Sequence, residues 1–559
     1  MHKGVFDGAV TDELSCIGLP HATVRFAQRA GTRIRTEMMN GPTDVHESVP
    51  ASPREVRIVL AGLMLALALA SLDQNIVGVA LPRIVSELGG LSHLSWVVTS
   101  FLVTATATTP LYGKLSDMYG RKPLFVAAIL IFLVGSSLCG LSRSMTELVV
   151  FRGIQGLGGG GLMVLAQTTI ADVVAPRERG RYQGLFGAVF AFSSVAGPLL
   201  GGFITDALSW RWIFTINVPI GILALALIVF GFHRPLHKVS HKIDYAGAML
   251  LAAATVALLL VLSWGGVQYP WTSPLIMSLA ASAAVLSILL MYTERRSAEP
   301  VLSPHLFHNR VFVIASGVMG LTFMGLFGAA VFLPLFFQLV LGMAPARAGL
   351  MLAPMTGGLI VTSFVGGRLV SRTGRYKIFP VVGLAAASLA FLGVMGAARA
   401  GWGTSVIEVF LIALGMGFGL VMPNLVVAIQ NAVGIRELGA ATATSAFFRQ
   451  LGGMFGVAMS GTIMTAQLQG LHAENAAGLA RGGRSLVEQG LRQIAELPAA
   501  QKALVTDAYR HAISTTFLAG SLIVGLAFLL VLFLPEHPLR SAHPATPART
   551  LDGPDAKKH

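Results

Sequence analysis

The chain has 559 residues, of which 54% are hydrophobic and only 12% charged, whereas soluble domains carry about a quarter charged residues. Its apolar residues fall in blocks of about 20 or more, the length that crosses a bilayer core of about 30 Å, which excludes a soluble globular protein. The formal charge of +14 is spread over short loops between those blocks, which is a topology signal and excludes nucleic acid as a partner.

Residues 1–55 hold no apolar h-region and read as a disordered cytoplasmic tail rather than a cleaved signal, with Met38 and Met39 as alternative starts. About fourteen membrane spans follow, near 57–81, 95–113, 123–141, 146–170, 183–205, 212–232, 244–264, 273–293, 311–337, 347–367, 378–398, 405–428, 440–464 and 511–534. One set of loops carries Lys114, Arg121 and Lys122, then Arg177, Arg179 and Arg181, and later Arg368, Arg372, Arg375 and Lys377. The alternate loops hold little more than Arg83, Arg143, Arg211, Arg347 and Arg399. This bias predicts a multi-pass protein with both termini cytoplasmic.

The predicted division is a first six-helix half over 56–233, a linker with two extra spans over 234–300, and a second six-helix half over 301–535. A tail at 536–559 follows the second half, and an external loop at 465–510 lies within it. The run LVEQGLRQIAEL in that loop suggests a short surface helix, a cap without chemistry. Two cysteines, Cys16 and Cys139, allow neither a disulfide framework nor a four-ligand metal site. No cofactor, metal or nucleotide-binding Walker sequence is implied.

The two halves repeat. GKLSDMYGRKP, from Gly113 to Pro123, returns 254 residues later as GRLVSRTGRYK, from Gly367 to Lys377, with Ser371 in place of Asp117. GLGGGGL from Gly156 returns 259 residues later as GMGFGLV from Gly415, and the same offset pairs Gly180 with Gly439 and Gly197 with Gly456. Internal repeats around a central site are the architecture of alternating-access transporters.

These stretches resemble the major facilitator superfamily, in its fourteen-span drug:proton antiporter branch of the EmrB/QacA type, over roughly residues 57–534. LDQNIVGVALP (Leu72 to Pro82) is similar to the branch's first-span pattern, departing at Asn75 and Gly78. GKLSDMYGRK resembles the superfamily's loop motif, RGIQGLGGG from Arg152 its fourth-span motif, and Gly197-Pro198 with Gly201-Gly202 its antiporter signature. The resemblance implies an all-α integral membrane fold: two six-helix halves plus two extra central spans. It also implies that the loop helps to lock the outward-facing state.

Physically, Gly113 and Gly120 permit a tight turn, Arg121 and Lys122 hold it on the cytoplasmic side, and Asp117 can pair with a basic residue or a helix N-terminus of the other half in one state only. A purely topogenic basic loop is the alternative. Asp73 lies about two-thirds of the way across the first span at about 1.5 Å per residue, and an intramembrane acid is a functional hypothesis by default. It is the candidate proton carrier; the alternative is a structural hydrogen-bonder beside Gln74 and Asn75. Arg152, at similar depth in the fourth span, shares a helix face with Gln155 and Gly156 and is the expected partner. In the resembling family this arginine is tied to proton coupling.

Gly187, Gly197, Pro198, Gly201 and Gly202 give the fifth span a small, bendable face. Gln74, Asn75, Gln155, Asn217, Asn424 and Arg449 are polar residues inside spans and are candidates for a substrate cavity. Phe323, Phe327, Phe332, Phe336, Phe337, Phe447 and Phe448 could add an aromatic surface for lipophilic cations, although most of them read as lipid-facing or core. The expected function is proton-coupled export of amphipathic small molecules by a monomer in the plasma membrane, with substrate, protons and lipid bilayer as its partners and no enzymatic chemistry. The alternatives are a dedicated exporter of one metabolite, antibiotic or lipid, and a transport-incompetent membrane sensor or assembly partner.

Overall fold

A computed structural model describes residues 53–89, 94–174, 176–231, 244–266, 269–297, 300–343, 345–434, 437–474 and 499–539. The first half holds α1 (Pro53–Leu88), α2 (Leu94–Tyr119), α3 (Arg121–Leu141), α4 (Met145–Val173), α5 (Pro176–Ala207) and α6 (Asn217–Gly231). The inserted pair is α7 (Tyr245–Trp264) and α8 (Pro274–Glu294). The second half holds α9 (Arg310–Leu339), α10 (Ala353–Thr373), α11 (Ile378–Ala400), α12 (Thr404–Ala432), α13 (Leu438–Glu474) and α14 (Ala499–Leu532).

Several helix starts are fixed by polar caps. Ser144 accepts from the Glu147 amide at 3.2 Å to open α4, Asp244 from Gly247 at 2.7 Å to open α7, and Asn309 from Val311 at 3.0 Å to open α9. Both copies of the basic turn pivot on a glycine with positive φ, Gly120 at +88° and Gly374 at +72°, which a side chain resists. Their ψ differs, 158° against 1°, and Gly113, expected in the turn, lies inside α2.

Each half repeats one packing scheme. In the first, α1 packs on α4, α5 and α6, α2 on α4, and α3 on α4 and α6. In the second, α9 packs on α12, α13 and α14, α10 on α12, and α11 on α12 and α14. The halves meet where α2 lies against α13 and α5 against α10, a pair of seams exchanged by the same repeat. Helix α7 breaks that symmetry. It lies on both α2 and α13, covering one seam, and α8 packs on α7.

Twelve of the described helices are long and apolar enough to cross a membrane, against fourteen predicted spans. The two that fall short are α2 and α13. Both face the midline, so Thr99, Thr106, Thr109, Thr442, Thr444 and Ser445 are buried within protein and need not match lipid. Helix α13 runs to Glu474 and α14 starts at Ala499, so both enter the predicted 465–510 loop. The suggested surface helix there lies outside the described residues, as do the first 52 residues and those from 540 onward.

Candidate functional site

Asp73 of α1 and Arg152 of α4 form a buried ion pair, with 2.6 Å between Oδ2 and Nη1 and relative exposures of 0% and 1%. The carboxylate is fully occupied, because Oδ1 accepts from Gln155 Nε2 and from Asn217 Nδ2, each at 2.9 Å. Asn217 also donates to Ser136 Oγ at 3.0 Å, and Cys139 Sγ points at Gln155 Oε1 at 3.7 Å. The guanidinium donates to the Val97 carbonyl of α2 at 3.1 Å and stands 4.3 Å over the Phe101 ring. Five helices of the first half thus supply side chains to one site, α2 through the Phe101 ring together with a backbone oxygen. Breaking a buried pair of this kind by removing one partner costs about 3–5 kcal/mol, so the arrangement ties the packing of α1 to that of α4.

At the end of the molecule that carries the basic turn, Asp117 crosses the midline. Its two oxygens accept from the Gly439 amide at 3.0 Å and the Ala440 amide at 2.7 Å, in the first turn of α13. A helix start is a favourable place for an anion. Arg121 holds the carboxylate from the other side at 2.6 Å and also pairs with Asp172 at 2.7 Å. Lys122 reaches the Val229 carbonyl of α6 at 2.8 Å.

The backbones touch here: a Cβ added to Gly113 would lie 2.6 Å from the Gly439 carbonyl oxygen. At the exchanged seam a Cβ on Gly180 would lie 2.6 Å from the Gly367 oxygen. The packing is therefore repeated, but the acid is not. Ser371 donates to the Gly367 carbonyl of its own helix at 3.0 Å.

At the opposite end, Glu87 accepts from Trp210 Nε1 at 2.8 Å and pairs with Arg211, which also donates to the Ser142 carbonyl at 3.2 Å. These bonds from Arg211 and Trp210 hold the Glu87 carboxyl below the ordinary glutamate value.

A cavity of about 370 Å³ lies between the halves, lined by residues of α1, α2, α4, α5, α7, α9, α10, α12 and α13. Of the six cavity candidates, Gln74 and Arg449 line it. The other four are not among its lining residues. Gln155 and Asn217 are turned to Asp73. Asn75 donates to the Ser71 carbonyl and packs against Gly197, and Asn424 donates to the Leu420 carbonyl of its own helix.

Two of the seven phenylalanines reach the cavity, and most of the rest are core. Phe323 and Phe327 line the cavity, while Phe332, Phe336 and Phe337 belong to the core of the second half, and Phe447 is buried among Leu251, Leu290 and Val301.

The glycines of α5 divide between two partners. Gly187 lies against Ser363 of α10, and its Cβ would be 3.0 Å from that hydroxyl. Gly197 and Gly201 lie against α1, where added Cβ atoms would be 2.6 Å from Asn75 Cβ and 2.8 Å from the Ile76 oxygen. Gly202 has room, 3.9 Å from Val79, and Pro198 is exposed. Four further contributors escape the sequence reading. Asp172 is an acid at the end of a span close to the basic turn, a signal that could have found it. Ser136, Cys139 and Glu87 carry no comparable signal.

Residues 63–457 match the Major Facilitator Superfamily. The chain is 35% identical over 502 residues to Multidrug resistance protein 3 of Bacillus subtilis, covering 87% of this chain and 97% of that one. It is 38% identical over 511 residues to an uncharacterised MFS-type transporter of Mycobacterium tuberculosis, covering 91% and 74% of the two chains. Among solved structures, the proton:xylose symporter XylE is similar with a TM-score of 0.59 at 15% identity, over 87% of this chain and 98% of that one. At that identity the likeness is one of fold.

Proposed function

We propose that this chain, which belongs to the Major Facilitator Superfamily, is a proton-driven antiporter that exports amphipathic small molecules across the plasma membrane, with both termini cytoplasmic. One juxtaposition supports this above all. Asp73 is sealed in its pair with Arg152, while the next residue on α1, Gln74, reaches the central cavity. A proton on Asp73 removes the charge that holds Arg152, Gln155 and Asn217 in place, and the shift of α1 that follows changes the cavity wall. Substrate and proton thereby act on one helix from two sides without sharing a site.

In this scheme the contacts of Asp117 with the start of α13 hold the cytoplasmic end closed, so the cavity is presented outward. Proton uptake at Asp73 from outside favours the opposite arrangement, and release of the proton to the cytoplasm accompanies binding of the next substrate. The loop end is the natural cytoplasmic face because it carries Lys114, Arg121 and Lys122 together with Arg368, Arg372 and Arg375.

The test is proton release on addition of substrate, followed with a pH dye in proteoliposomes across a chemically varied panel. At least one amphipathic compound should release protons and be driven uphill by an imposed pH gradient. Transport that runs equally fast with and without the gradient overturns the proposal.

A further inference from the structure

We infer that the central cavity selects amphipathic organic anions, molecules with one carboxylate or sulfonate on an apolar body, rather than lipophilic cations. This rests on the cavity being the substrate site of the proposed exporter. Among the described residues, the side chains lining the cavity include no aspartate, glutamate, lysine or histidine, and Arg449 is their one charged member. Arg449 lies in the first third of α13, on the cavity wall between the halves, and makes no ion pair among the described residues. Its guanidinium meets the sulfur of Met163 and stands 5.2 Å over the Phe323 ring. A thioether and a ring face stabilise a cation weakly, far less than a carboxylate does.

A cation held inside a membrane protein without a counter-charge is costly, and such groups mark the path of a charged ligand. A second unpaired group points the same way. The Nε2 amide of Gln183, a buried lining residue, has no hydrogen-bond partner among the described residues and is a donor. Arg449, whose acceptor is only the Met163 thioether, and Gln183 thus offer donors to an oxyanion, while the unpartnered Oε1 of Gln450 on the same wall can accept from a hydroxyl or amide on the ligand's body. The remaining wall, including Leu102, Met319, Leu326 and Val426, accepts an apolar body, and the volume of about 370 Å³ falls in the range of drug-sized sites.

Asp73 does not supply the missing charge, since it is enclosed by Arg152, Gln155 and Asn217. A lipophilic cation would meet Arg449 with no acid to offset it. Inorganic chloride offers the same charge as an organic acid, but it leaves the apolar wall unused.

The experiment uses three probes with one body: pyrenebutyrate, pyrenebutanol and pyrenebutyl-trimethylammonium, titrated against the purified full-length protein by fluorescence. The butyrate should bind at least about tenfold more tightly than the ammonium. Arg449→Gln should erase that preference while pyrenebutanol binds as before, and Arg449→Lys should keep part of it. Butyrate binding should survive physiological chloride; its loss there would make the site one for an inorganic anion and overturn the inference.

Equal or tighter binding of the ammonium by the wild-type protein also overturns it, whether or not the Arg449 variants fold. Binding needs no proton gradient, so failure of proton coupling leaves this result standing. Uphill export of cations would sink the anion selectivity and keep the antiporter.

Discussion

The Asp73 carboxylate and the Arg152 guanidinium touch at 2.6 Å inside the first half, and neither lines the central cavity. Arg152 donates through Nη1 to Asp73 and Gln155 and through Nε to the Val97 carbonyl. A lysine cannot reproduce three bonds in one plane. Arg152→Lys should therefore keep the charge and still lose at least about 90% of gradient-driven transport, because one lost charged hydrogen bond is worth about 1.5–3 kcal/mol. Transport by folded Arg152→Lys at the wild-type rate would show that the charge alone suffices.

The two midline seams predict unequal mutants. Asp117→Asn replaces one acceptor with a donor facing an amide, and it loses the pairing with Arg121. Two charge-assisted bonds of about 1.5–3 kcal/mol each are at stake, enough to shift a two-state balance at least about tenfold. Cysteine labelling at the cytoplasmic mouth should rise accordingly in Asp117→Asn. Ser371→Ala should leave labelling near wild type, because the Ser371 hydroxyl bonds to its own helix. Equal labelling of the two variants would mean that the difference between the loops has no effect on closure.

Gly197 seats α5 on α1 just beyond Asp73, and a methyl there would lie 2.6 Å from Asn75 Cβ. Overpacking of this kind costs about 1–3 kcal/mol and pushes α1 aside. Gly197→Ala should leak protons without substrate when compared at matched amounts of folded protein. Pro198→Ala should do so less, because Pro198 faces outward. A tight Gly197→Ala variant would reduce this part of α5 to packing.

The Glu87 clamp makes a pH prediction. Its folded pKa is held below the ordinary value by the bonds from Arg211 and Trp210, so its stabilisation is present above the unfolded pKa and fades as pH falls through the lowered one. The side chain is 45% exposed, and solvent screening limits the effect to about 1 kcal/mol at most. Glu87→Gln should lower the melting temperature at neutral pH, and the gap to wild type should close in acid. A gap that stays constant down to the acid limit would remove the ion pair from the account.

The architecture was legible because duplication leaves two marks at once. The offsets of 254 and 259 residues predict two like halves, and the pairing of α1 with α5 recurs as α9 with α13. Depth was legible too, since counting residues from Arg57 and from Thr146 places Asp73 and Arg152 at one level. Rotation about the helix axis was legible only in part. The i, i+3 spacing puts Gln155 on the face of Arg152. Because α4 buries residues on nearly every side, the pattern does not keep that face out of the cavity, and Asn217 is polar and intramembrane whichever way it turns. Asn424 shows the same limit, because a side chain that bonds back to Leu420 looks in sequence like one that awaits a ligand.

The most direct test compares two transport modes of Asp73→Asn in proteoliposomes. Exchange of labelled for unlabelled substrate needs the cavity and the rocking of the halves, but no net proton movement. Uphill uptake driven by a pH gradient needs both. Because Asp73 is buried away from the cavity and Asn can still accept from Gln155 and Asn217, the variant should keep exchange within about threefold of wild type and lose gradient-driven accumulation. Accumulation at the wild-type level would contradict the assignment of proton coupling to Asp73, and loss of both modes in a folded protein would contradict the separation of the proton site from the cavity.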